Sequence, residues 1–146
     1  MTRLPLRLLR SVPVWLAAAW AMSLTTLGFF VVPMLFAHLP SPALAGAMAA
    51  RLFSVQSAVS VACALALLLT LRADRFGVDA ELAQGLALWL LAGALLALLV
   101  EFGVSPRIVS RENPALWHGL GSLMYFAQWV CALQVFGRLA LPRDQV

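Results

Sequence analysis

Leu52-Phe53-Ser54-Val55-Gln56-Ser57-Ala58-Val59-Ser60-Val61-Ala62-Cys63-Ala64-Leu65-Ala66-Leu67-Leu68-Leu69-Thr70-Leu71 is an uncharged run of twenty residues held between Arg51 and Arg72. At about 1.5 Å of rise per helical residue it reaches about 30 Å, the hydrocarbon thickness of a bilayer. An arginine at each end and none between is what a membrane-crossing helix requires. The rest of the chain agrees, being 63% hydrophobic and only 11% charged. A soluble fold of this size leaves too much of its surface in water to hide so much apolar matter.

Outward from that run, three more spans follow. Before it, Val12 to Ala37 is apolar apart from Ser23, Thr25 and Thr26. This is far longer than the roughly 7–15 apolar residues of a signal peptide, so a retained helix is expected. Leu39-Pro40-Ser41-Pro42 breaks the chain, with Ser41 placed to cap the next helix and Pro42 as its first residue. After it, Arg72 to Glu81 is a short hydrophilic connection, and Leu82 to Val100 is a third apolar run. Gly103 suits a left-handed helix stop, Ser105 to Asn113 reads as a polar loop, and Asn113-Pro114 opens a last helix that reaches Gly137. The expected fold is therefore all-α, a four-transmembrane-helix up-down bundle. It forms a single integral membrane domain over 1–146, with spans at about 12–37, 52–71, 82–100 and 115–137. No internal repeat or linker is visible.

Arginine counts orient it. Arg3, Arg7, Arg10, Arg72, Arg75, Arg138 and Arg143 fall on one side, against Arg51, Arg107 and Arg111 on the other. The positive-inside rule makes the first side cytoplasmic, which places the N and C termini there and points to a bacterial inner membrane. The net charge of +4 is carried by scattered arginines without interleaved aromatics, so nucleic acid is excluded as a partner; the lipid bilayer is the expected one. Cys63 and Cys131 lack the spacing of a metal or disulfide motif and are expected to pack as small hydrophobes.

With this topology His38, Arg51, Glu101, Arg107, Arg111, Glu112 and His118 gather at the outer boundary. His118, Ser122, Tyr125 and Trp129 share one stripe of the last helix with Gln128 beside it, while Gln56, Ser60 and Cys63 line one face of the second. Polar groups in hydrocarbon seek partners, so these faces are expected to turn inward. Arg51, Gln56, Glu101, His118, Tyr125 and Gln128 are the candidate ligand-binding residues for a small solute or metal ion. Glu101 is expected to pair with Arg51, or failing that Arg107, because a carboxylate near hydrocarbon is costly alone. Met34, His38, His118 and Met124 are the alternative metal set, since thioether and imidazole suit copper(I); haem on His38 and His118 is the related cofactor reading. Gly93-x-x-x-Ala97 is a small-residue face that could dock a second copy or a membrane partner in an assembly role. Dinucleotide, P-loop, zinc-protease and nucleophile-elbow motifs are absent, which leaves catalysis without a motif to support it.

The run Gly28-Phe29-Phe30-Val31-Val32-Pro33-Met34-Leu35-Phe36 is followed by Leu39-Pro40-Ser41-Pro42, Ala45-Gly46 and Arg51-Leu52-Phe53. Ser105-Pro106-Arg107-Ile108 and Trp117-His118-Gly119-Leu120-Gly121-Ser122 come later in the same order. Together they resemble the bacterial membrane proteins of unknown function grouped with the transmembrane protein 205-like proteins, over Gly28 to Gln128. Trp117 and Gly121 stand where that pattern has Phe and Ser. The resemblance implies a four-helix membrane protein without an assigned activity. A more distant likeness is to four-helix copper-resistance and haem-biosynthesis membrane proteins.

Overall fold

The computed structural model describes residues 3–72, 76, 78–110 and 113–141, with side chains from Leu8 onward; Arg75, Arg111, Glu112 and Arg143 lie outside the described residues. Among the described residues six α-helices, α1 to α6, form four apolar rods. The first rod is α1 (Arg3–Thr26), a wide π turn (Leu27–Val31) and α2 (Val32–His38). The second is α3 (Pro42–Leu71). The third joins α4 (Ala80–Leu99), a second π turn (Val100–Val104) and α5 (Ser105–Val109), and the fourth is α6 (Pro114–Ala140). Each rod contains a stretch of 27 to 31 residues that is long and apolar enough to cross a membrane, and no strand occurs among the described residues.

The rods outrun the expected spans at the end of the bundle opposite the termini, called the far end below. The second begins at Pro42, as the sequence indicates and ten residues ahead of the span expected from Leu52, with the Ser41 hydroxyl accepting from the Leu44 amide at 3.3 Å as expected of a cap. The third continues to Val109, so the expected stop at Gly103 and the loop from Ser105 are both corrected. Gly103 is not left-handed; it lies inside the second π turn. Asn113 does precede α6, but in a left-handed conformation with φ 38° and without a side-chain cap. Its carbonyl serves the first turn by accepting from Leu116 and Trp117.

Proline explains both π turns. Pro33 has no N–H for the carbonyl of Phe29, and its ring would press on that carbonyl; Pro106 stands in the same relation to Phe102. Widening the turn by one residue relieves this. Accordingly the Val32 amide reaches back five residues to Leu27, and the Ser105 amide reaches back five to Val100. The prolines thus occur in one recurring pattern, Phe-x-Val-x-Pro, at 29–33 and 102–106.

The rods pack in a ring, first on second, second on third, third on fourth and fourth on first, so the first and third face each other diagonally, as do the second and fourth. Toward the termini the centre is solid. Ala17, Trp20, Leu24, Leu67, Leu86, Leu90 and Val135 are fully buried, and Ala21, Ala64 and Ala132 let the backbones close around them. The outside is apolar: Trp15, Leu88 and Phe102 are 71%, 73% and 75% exposed. In water such a surface would aggregate; in a bilayer it is the solvated one. The chain is a multi-pass membrane protein.

Candidate functional site

Polar side chains inside the bundle mostly tie one helix to the next. Gln56, buried on α3, donates from Nε2 to Ser23 Oγ of α1 at 3.0 Å and to Ser60 Oγ at 3.3 Å, while Ser23 donates to the Trp20 carbonyl. Buried Gln128 on α6 donates to the Gly93 carbonyl of α4 at 3.2 Å. Trp129 Nε1 donates to Thr25 Oγ1 at 2.9 Å, and Thr25 passes its own proton to the Ala21 carbonyl. Tyr125 donates its hydroxyl to the Leu24 carbonyl at 2.8 Å, with the Gly28 amide as a second neighbour of the same oxygen. That contact sits where the first π turn begins. The hydroxyl thus ties α6 to α1 just before the helix widens.

The expected ion pair at Glu101 is not formed. Ser54 Oγ donates to Glu101 Oε1 at 2.9 Å, joining α3 to the second π turn. Arg107 instead donates to the Gly103 carbonyl and lies over the Trp117 ring, 4.6 Å from its centroid. Arg51 is exposed and has no charge partner among the described residues. Arg107 is taken up by the Gly103 carbonyl and the Trp117 ring and Arg51 is exposed, while Ser54, one turn along α3 from Arg51, meets the carboxylate.

Gly93 and Ala97 face inward rather than outward. Both are buried, and a Cβ built on Gly93 would stand 2.6 Å from Trp20 Cη2. Their smallness admits the indole, so they offer no surface to a second copy. The two cysteines are free, Cys131 buried and Cys63 half-buried, as expected of packing residues.

At the far end the solid core gives way to a cavity of about 440 Å³. It lies between the two π turns and the first halves of α3 and α6. Phe29, Phe36, Phe53, Val104 and Ile108 form its apolar walls. Space comes from small residues on the helices that flank it, Gly46, Ala49 and Ala50 on α3 and Ser122 on α6, while Gly121 lets Val104 approach α6 closely. A Cβ built on Gly46 would meet nothing within 4 Å. Four polar side chains reach the lining: Ser105, His118, Ser122 and Tyr125. A concave, mainly apolar chamber with a few polar groups is how small-molecule sites are built, and 300–1,000 Å³ is their usual size. Wide π turns also gather at such sites, because they displace a helix wall without unwinding it.

Of the six ligand residues expected from sequence, His118 and Tyr125 line this cavity. Gln56 and Gln128 lie one turn deeper as interhelical ties, Glu101 is engaged by Ser54, and Arg51 is at the surface. The apolar lining escaped sequence reasoning, although the glycines and alanines facing one another on α3 and α6 carried its signal. From the metal set, His118 is in the lining, whereas His38 is exposed with Nδ1 3.0 Å from the Met34 carbonyl of its own helix. Among the described residues no three His, Cys, Asp or Glu side chains converge.

Residues 15–114 match the protein family described as a domain of unknown function, DUF4149. The chain belongs to the DUF4149 family. No curated protein and no solved structure matches it. The DUF4149 match covers both π turns and the cavity-lining part of α3, and ends as α6 begins. His118, Ser122 and Tyr125 thus complete, from beyond the matched segment, a chamber whose other walls are DUF4149 sequence.

Proposed function

We propose that this chain is a bacterial inner-membrane protein, with both termini cytoplasmic, whose far-end cavity binds a small and largely apolar solute without chemical conversion. The cavity of about 440 Å³ carries this reading, because a membrane protein this short has no packing reason to leave its bundle open beside an otherwise solid core. Seven arginines against three support the orientation, which puts the cavity in the outer half of the membrane. His118, Ser122, Ser105 and Tyr125 are the polar residues that would face the solute, and Gln56 and Gln128 hold the four helices together beneath it. The segments Gly28 to Phe36 and Trp117 to Ser122 support grouping the chain with the transmembrane protein 205-like proteins.

Native mass spectrometry of the protein released from its own membrane tests the proposal. A small adduct is expected on the wild type and should be lost from Gly46→Phe, whose ring would occupy the open space, and weakened in the milder Gly46→Leu. Identical spectra from folded wild-type and Gly46→Phe protein would remove the cavity from consideration.

A further inference from the structure

The two halves of the chain are copies of one helical hairpin. Phe29-x-Val31-x-Pro33 is followed by Ser41-Pro42-Ala43-Leu44, and Phe102-x-Val104-x-Pro106 by Asn113-Pro114-Ala115-Leu116. In each copy the first motif makes a π turn and the second starts a helix with proline in its first turn. Aligning Pro33 with Pro106 brings Pro13, Ala17, Trp20 and Leu24 onto Leu86, Leu90, Gly93 and Ala97, and all eight are buried. Aligning Pro42 with Pro114 brings Gly46, Ala49, Ala50 and Phe53 onto His118, Gly121, Ser122 and Tyr125, and all eight line the cavity. One turn further on, Gln56 falls on Gln128, both buried. The expectation that no repeat is present is corrected: hydropathy hides it, since every span is apolar, and only the proline motifs and the burial register show it.

Two of these equivalent pairs are in contact. The Trp20 indole covers Gly93, and the rings of Phe53 and Tyr125 meet edge to face with centroids 5.2 Å apart. Equivalent residues touch only at the axis that relates them, so a pseudo-two-fold axis runs along the bundle through the core and the cavity. Repeats that enter the membrane in the same direction are related by an axis along its normal.

The copies differ at the cavity in one respect, polarity. His118 replaces Gly46, Ser122 replaces Ala50, Tyr125 replaces Phe53 and Ser105 replaces Val32. Every hydrogen-bonding side chain in the described lining belongs to the second copy. Elsewhere in the bundle Ser23, Thr25, Ser54 and Ser60 are bonded within the protein. Ser105, His118 and Ser122 make no such bond among the described residues. A polar wall opposite an aromatic one matches a molecule with one oxygen-bearing end and one hydrocarbon body. Resting on the cavity reading above, we propose that the site takes a single-chain amphiphile. Its carboxyl or hydroxyl end lies on the second copy's His118 and Ser122, near the membrane surface, and its chain runs against Phe29, Phe36 and Phe53.

The pseudo-axis supplies the test. A dansyl-labelled fatty acid is titrated onto the full chain in lipid nanodiscs, with competition by a monoacylglycerol and by a bilayer phospholipid. Wild type should bind saturably, and the monoacylglycerol, not the phospholipid, should displace the probe. His118→Gly with Ser122→Ala gives the second copy the first copy's residues, and should weaken binding about tenfold, as expected for two lost hydrogen bonds. Adding Gly46→His and Ala50→Ser moves the polar wall across the axis, and should restore binding within about threefold, because the ligand can enter turned by half a revolution. Unchanged binding in the first double variant, or no recovery in the quadruple variant with an unaltered melting curve, overturns the amphiphile proposal, as does displacement by phospholipid alone. Gly46→Phe separates the two readings: if it abolishes probe binding while the polar exchange has no effect, the cavity stands and the amphiphile falls.

Discussion

The hydroxyl of Tyr125 and the carbonyl of Leu24, 101 residues apart in sequence, are 2.8 Å apart in the folded chain and join α6 to α1 at the start of the first π turn. Tyr125→Phe keeps the ring and its contact with Phe53 but leaves that carbonyl without the hydroxyl. The expected cost is about 1–2 kcal/mol, read as a lower melting temperature in detergent and faster amide exchange over Leu27–Val31. Unaltered exchange there would mean that proline alone maintains the turn.

Gly93 is required by Trp20. Gly93→Ala places a methyl group where the indole lies, and is expected to destabilise the bundle by about 1–3 kcal/mol. The buried Trp20 N–H has no acceptor among the described residues, so Trp20→Phe gives up no hydrogen bond there while making room. The double variant should recover part of the loss caused by Gly93→Ala, a coupling that a double-mutant melting cycle measures. A dimer-disruption assay should be insensitive to Gly93→Ala except through unfolding.

Glu101 is held by Ser54, not by arginine, and this distinguishes three substitutions. Arg51→Ala should change stability by less than about 0.5 kcal/mol. Glu101→Gln retains an oxygen to accept from Ser54 and should also be mild, whereas Glu101→Leu leaves the Ser54 hydroxyl without its acceptor and should cost about 1 kcal/mol. Reversible unfolding in mixed micelles gives all three values.

Pro33→Ala and Pro106→Ala restore an amide to each widened turn. Both variants should melt higher than wild type, as the turn closes to an ordinary helix, and both should bind the dansyl-labelled fatty acid more weakly, because the wall of the cavity moves in. A rise in stability with undiminished binding would show that the cavity does not depend on the π turns.

The four helices were legible because hydrocarbon thickness fixes a length and arginine marks its ends; Arg51 and Arg72 bracket the second span without any need for packing information. Where the helices begin and end was less so. The Ser41-Pro42 cap marked the start of the second helix, but Ser105 to Val109 is helical through residues that look like loop, since in a helical rod beyond the hydrocarbon nothing in hydropathy separates the two. Within the site, His118 and Tyr125 were found by their shared stripe, whereas the pairing of Glu101 with Ser54 depends on side-chain depth, which arginine's reach obscured. The cavity was hidden for a different reason: glycine and alanine on α3 read equally well as tight packing or as empty space, and only the facing helix decides which.

Each hairpin begins and ends on the same side of the membrane, and the short connection between Leu71 and Ala80 is all that makes the pair one molecule. A half-length chain could close the same ring as a homodimer, but every substitution in it would then appear on both sides of the axis. A histidine facing a glycine is out of reach for such a dimer. Joining the halves in a single chain frees one to be altered without the other, and the lopsided chamber is what that freedom makes available.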